Sequence, residues 1–176
     1  MPLYAAGQRI RGSEINALPQ LYRVQSPQIC NNSVALRDVV GLTFQGDVNG
    51  EYLAECFLAC HAHETGDIKF AWILPSGSLV NDVPTLYQGS WHAALGVDVA
   101  SSGGNPGVLD AKISATPGTA ITKSGDNSDP VLIVEVAHIQ VGVNAGAVKL
   151  QFAQNTAFAH DTTVRQGSVM RVSRLA

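Results

Sequence analysis

The chain has 176 residues, of which only 14% are charged and 45% are hydrophobic, and its formal net charge is −3. A length of this order supports one domain with a sizeable core, burying about 70% of the surface that the unfolded chain exposes. The eleven lysines and arginines are scattered rather than clustered, which excludes a nucleic-acid-binding stripe, and no apolar run approaches the roughly 20 residues of a membrane helix.

Soluble domains usually carry about 25% charged residues, so this surface is poor in ions. Low charge favours packing against neighbours, and assembly into an oligomer or a larger particle is the preferred reading. A surface rich in Ser, Thr, Asn and Gln is the alternative that needs no partner. The amino terminus lacks a charged start followed by an apolar signal core, so the chain is expected to be made and used without crossing a membrane on a signal of its own.

Residues 1–24 read as an attachment arm and residues 25–176 as a single β domain. Within the arm, Gly12-Ser13-Glu14-Ile15-Asn16-Ala17-Leu18-Pro19 offers an N-cap serine, an acidic first turn and a proline stop, which predicts one short helical turn. A segment this short is not stable alone, so Leu3, Tyr4, Ile10, Ile15, Leu18 and Leu21 must dock. Docking on the chain's own sandwich and gripping a neighbouring subunit both fit.

Cys30, Cys56 and Cys60 are an odd number, so at least one thiol is free or pairs between chains. Cys56 and Cys60 fall on one predicted strand about 13 Å apart, beyond disulfide reach, while Cys30 is left free to pair with either. Buried thiols of this kind fit a reducing compartment. Asn31-Asn32-Ser33 matches a glycosylation sequon but is discounted without a secretion signal.

Short β-type runs punctuated by Gly, Asn, Asp and Pro follow from Leu21 onward. Strands are predicted at 42–44, 51–63, 68–74, 109–115, 131–141, 147–154 and 168–173. Glu51 to His63 is the clearest: Tyr52, Ala54, Cys56, Leu58, Cys60 and Ala62 form a small or apolar face, whereas Leu53 and Phe57 share the other face with polar residues. Val131 to Val141 is apolar on both sides, with Ile133, Ala137 and Ile139 on one and Leu132, Val134 and Val136 on the other. The outer face of a two-layer sandwich should be wet, so Leu53, Phe57, Leu132, Val134 and Val136 are the candidate subunit interface. Gly96 to Gly107 reads as the longest loop, for which a flexible loop with no partner is the preferred reading; if the protein touches a host surface, this loop with the Trp72, Tyr87 and Trp91 neighbourhoods is the candidate contact.

No Gly-x-Ser-x-Gly, His-Glu-x-x-His or phosphate-cradling glycine loop is present, and neither catalysis nor a cofactor is expected. The one suggestive set is His61 and His63, two apart on a strand face, which bind a metal only if a third ligand such as His138 meets them; surface or interface histidines are the preferred reading.

Tyr4 to Pro19, together with the close at Gly146 to Thr156 and Thr163 to Val172, resembles small virion proteins of actinobacterial tailed phages. Gly50 to Leu58 and Asp67 to Trp72 fit the same group, whose members look like jelly rolls of the C1q and tumour-necrosis-factor type; Ser76 to Asp129 lies outside the likeness. The resemblance implies an all-β jelly-roll β-sandwich that forms a homotrimer. It further implies a non-catalytic role in a bacteriophage virion, as a minor tail or tail-fibre component, with capsid decoration or host-surface binding as the alternatives. The implied partners are further copies of the chain, other virion proteins and the host cell surface.

Overall fold

The computed structural model describes residues 18–80, 88–94, 112–114, 121–123 and 126–176, and all regular structure among them is β. The strands are β1 (Gln20–Arg23), β2 (Gln28–Cys30), β3 (Arg37–Gly46), β4 (Glu51–Ala62), β5 (Ile68–Ile73), β6 (Leu79–Val80) and β7 (Gln88–Ala94). They continue with β8 (Lys112–Ser114), β9 (Ile121–Lys123), β10 (Asp126–Gln140), β11 (Gly146–Ala153), β12 (Thr162–Val164) and β13 (Val169–Arg174).

These strands form two antiparallel sheets. The larger runs β1-β13-β4-β10-β7-β8, with β2, β6 and β12 attached beside that path, and the smaller runs β3-β11-β5-β9. Pairing is nested: β1 with β13, β3 with β11, β4 with β10 and β5 with β9.

Alternation along β4 sets the packing. Tyr52, Ala54, Cys56, Leu58, Cys60 and Ala62 all point inward and are buried, as the period-2 pattern predicts. Four of these six are small, which leaves room for the bulky inward residues of the facing sheet: Leu42 and Phe44 on β3, Phe70 and Trp72 on β5, and Leu150 and Phe152 on β11. Small residues in one layer opposite large ones in the other fill the space without forced rotamers, and each large side chain contributes about 1.5–3 kcal/mol on burial. One cluster contains the inward residues of both sheets, so the molecule is a β-sandwich with a single core.

Three loops and one amide complete the frame. The β3–β4 turn closes with the Gly50 N–H donating to the Asp47 carbonyl, and its Asn49 takes φ 56°. Where β3 passes β1, Gly41 adopts φ +95°, and a Cβ there would lie 2.4 Å from the Arg23 carbonyl oxygen, so no other residue fits. Gln154 is fully buried; its Oε1 accepts from the N–H groups of Ser33 and Phe158 while its Nε2 donates to the carbonyls of Phe158 and His160. One side chain thereby satisfies four backbone groups of two loops that form no sheet.

Several boundaries differ from those read in the sequence. The sheet begins at Gln20 rather than after residue 24: β1 pairs with β13 through four residues, and Val24 is buried in the core. The short polar run around Gln20 and Arg23 hid this strand, because an edge strand needs only one covered face. Apart from Leu18 and Pro19, the expected helical turn lies outside the described residues, as do Leu3, Tyr4, Ile10 and Ile15. The strand at 42–44 extends over 37–46, with Gly41 inside it and a register shift between Lys149 and Gln151 on its partner. β6, β7 and β9 fall outside the predicted strands, whereas β8 lies within the one predicted at 109–115.

All three cysteines are free and fully buried, so Cys30 has no disulfide; its thiol donates to the Ser33 carbonyl at 3.3 Å. Burial pushes the Cys56 thiol well above the usual range, reinforced by the charges of Glu135 and Glu55, and burial alone raises that of Cys60. The expected result with a thiol reagent is no reaction in the native protein and three thiols per chain after unfolding in guanidinium. Rapid modification of the native protein would contradict this burial.

Candidate interaction surface

The outward face of the larger sheet is the most distinctive surface of the chain. Register places its residues in rows across the strands: Arg23, Val169, Phe57 and Val134 in one, Leu21, Arg171, Glu55 and Val136 in the next, and Ser173, Leu53 and His138 in a third. Ala59 lies opposite Leu132 beyond the first row. Phe57 is 41% exposed and Leu21 69%, whereas Leu53, Leu132, Val134, Val136 and Val169 are half-buried.

All five residues named from the alternation of the two strands therefore share one face, and the rows make them neighbours. Cross-strand pairs such as Phe57–Val134 and Phe57–Val169 each contribute about 0.2–1 kcal/mol to the sheet. Leu21, assigned from sequence to the attachment arm, belongs to this face, since β1 sets it opposite Arg171. Leu18 is also exposed and borders a cleft of about 460 Å³ between β1 and β3 that includes Tyr22, Phe44 and Tyr52.

Charge on this face is mostly paired. Arg171 donates from Nε at 2.8 Å and from Nη2 at 2.5 Å to Glu55 Oε2. In water such a pair contributes at most about 1 kcal/mol, and its main effect is to leave little net charge among the apolar residues. At the far end His138 is 2% exposed, and its Nε2 lies 2.5 Å from Glu51 Oε1, while its Nδ1 is buried with no hydrogen-bond partner.

That position separates the histidines. His138 sits opposite Leu53, eight residues along β4 from His61, or about 27 Å, so it cannot complete a metal site with His61 and His63. The His63 ring instead lies 4.4 Å from Phe158 and 4.8 Å from His160, and its Nδ1 accepts from the Thr65 N–H. Among the described residues no group of three or more His, Cys, Asp or Glu could hold a metal ion.

Other expectations for a surface site are also revised. Trp72 is fully buried in the core, because β5 turns it inward with Phe70, so it offers nothing to a host surface. Tyr87 and the loop from Gly96 to Gly107 lie outside the described residues; the backbone of Trp91 sits in β7 opposite Val134. The sequon asparagine, Asn31, donates its side-chain amide to Asp161 Oδ1 at 2.9 Å.

Sequence reasoning missed Glu135. It interrupts an apolar strand yet points inward opposite Cys56 and is fully buried. Its position between Ile133 and Ala137 on one face was the available signal. Elsewhere Asp38 accepts from Gln151 and Lys149 at 2.7 Å each, and these hydrogen bonds, Gln151 first, hold its carboxyl below the usual carboxylate range.

Comparison of the chain with family models, with curated proteins and with solved structures found no match. The geometry of the site therefore carries the functional argument.

Placing a charge on this face tests whether it is covered in the working protein. Val134→Asp introduces an unpaired carboxylate beside Phe57 and is expected to abolish assembly or lower stability by about 1–3 kcal/mol, read by sedimentation and denaturant unfolding. Val143→Asp, at a site 75% exposed, is expected to change neither. Equal behaviour of the two variants would contradict the assignment.

Proposed function

We propose that this protein is a non-catalytic structural component of a bacteriophage particle, a homotrimeric jelly roll that functions as a minor tail or tail-fibre part. The observation that carries the reading is the apolar outward face of the larger sheet, with Phe57 at its centre. A sandwich whose outer face is left to water has no physical reason to place Leu21, Leu53, Phe57, Leu132, Val134, Val136 and Val169 there together. Further copies of the same chain cover it in this proposal, since closed symmetric assembly is the common solution for one chain with one such patch.

Three observations support the reading. The nested pairing of β1 with β13, β3 with β11, β4 with β10 and β5 with β9 is the order in which a jelly roll folds two Greek keys together. The charge fraction of 14% is low for an isolated monomer. The opening and closing segments resemble small virion proteins of tailed phages, a resemblance that fits tail components and capsid decoration proteins alike.

Light scattering on the full chain and on a version lacking residues 1–17, which leaves β1 intact, tests the assembly. The expected mass is three times the 18.5 kDa chain in both forms. A monomer in both forms would overturn the proposal, and a trimer lost on truncation would transfer the interface from the sheet to the amino-terminal segment. Binding of the trimer to purified tails but not to isolated heads is the expected result for the tail assignment; the reverse would place it on the capsid.

A further inference from the structure

One corner of the larger sheet gathers positive charge, and none of the described residues that line its hollow is a carboxylate. A shallow hollow of about 450 Å³ is lined by Pro27, His61, Thr163, Arg165 and Gln166. Arg23 borders it: its Nη2 would lie 3.8 Å from a Cβ at Gly167, the residue after Gln166. Among the described residues, the side chains of Arg23, Arg165 and His61 form no salt bridge, whereas Arg171, Arg174 and Lys149 each pair with an acidic residue.

The backbone beneath the hollow is fixed. The Arg165 N–H donates to the Ala59 carbonyl, the Ser168 N–H to the Arg165 carbonyl and the Gly167 N–H to the Val24 carbonyl. Buried Ser168 adds its hydroxyl, whose Oγ accepts from the Ala59 N–H at 3.1 Å. Thr163 lies opposite His61 in the β12–β4 ladder, so hydroxyl and imidazole belong to neighbouring strands rather than to a loose loop. Two guanidinium groups and an imidazole gathered beside a hydroxyl and an amide on this fixed backbone supply a set of donors, and a guanidinium matches the oxygens of a tetrahedral anion.

We propose that this hollow binds a tetrahedral oxyanion, a phosphate or sulfate group, either as the free ion or as the ester group of a polymer. Arg165 and His61 supply the direct contacts, Thr163 and Gln166 add neutral hydrogen bonds, and Arg23 contributes charge from the rim. In a chain with a net charge of −3, a local excess of cations lacking an internal partner is what such a ligand requires. The site does not depend on the proposed trimer, because every residue in it comes from one chain.

The test is a titration of the full chain with sodium sulfate at constant ionic strength, balanced with sodium chloride, followed through backbone amide resonances. Saturable shifts at residues 163–167 with a millimolar midpoint are expected. Arg165→Gln and His61→Gln should each weaken that midpoint roughly fivefold, as expected for a partly exposed charge, whereas Arg174→Gln, which breaks an ion pair at the opposite end, should leave it unchanged. A parallel titration with dextran sulfate at equal sulfate concentration separates the sources: saturation by inorganic sulfate identifies the free ion, and saturation by the polymer alone identifies the ester. Shifts that spread over the surface without saturating with either probe, or an equal loss with Arg174→Gln, would overturn the proposal.

Discussion

The structure depends on one constraint, the asymmetry of side-chain size between the two inward faces. β4 pairs with β10 on one side and β13 on the other, and its inward Ala54, Cys56, Cys60 and Ala62 leave space that the facing sheet fills with Phe70, Trp72 and Phe152. Enlarging the small residues of β4 without shrinking those that face them would push the sheets apart, because interiors are packed at crystal-like density. The same alternation sets the other face of β4. With every second residue committed to the core, Leu53, Phe57 and their neighbours are forced outward and define the candidate interface.

Apart from Glu135, which is buried opposite Cys56, polar burial lies away from that centre. Gln154 satisfies four backbone groups where two loops leave the sandwich, and the carboxy-terminal end is tied to the start of β4, the Leu175 N–H donating to the Glu51 carbonyl and the Glu51 N–H to the Ala176 carbonyl. Loops held in this way act as fixed parts of the frame. The outer face, its paired Arg171–Glu55 charges and the unpaired cationic corner at Arg165 thus sit on a scaffold that holds their spacing. Assembly through the apolar rows and anion binding at the corner are compatible, since they use different side chains of one sheet.

Much of this was legible in the sequence where one residue type alternated strictly. The inward face of β4 and the five outward residues of β4 and β10 follow from a period of two, because a one-residue error would move the whole set to the other face. The nested pairing was not legible in the sequence, since strand order depends on contacts between residues more than a hundred positions apart, such as Gln20 with Val172. Strands β1, β2 and β12 escaped notice because three or four residues carry too little pattern to distinguish a strand from a loop. The fate of Trp72 was misread for a different reason: aromatic residues suit surfaces and cores alike, and only the parity of β5 turns this one inward. Glu135 and Arg165 gained meaning only when the fold supplied their neighbours.

The claim that further copies cover the outward face of β4 can be tested at its central residue. The native thiols are buried, so the variant F57C presents a single accessible thiol at a position 41% exposed in the isolated chain. The measurement is its rate of alkylation at high protein concentration, compared with that of V143C at the 75% exposed loop position. The account predicts strong protection at position 57 and none at 143, with protection lost on dilution as the copies separate. Equal rates at the two positions, at every concentration, would contradict it.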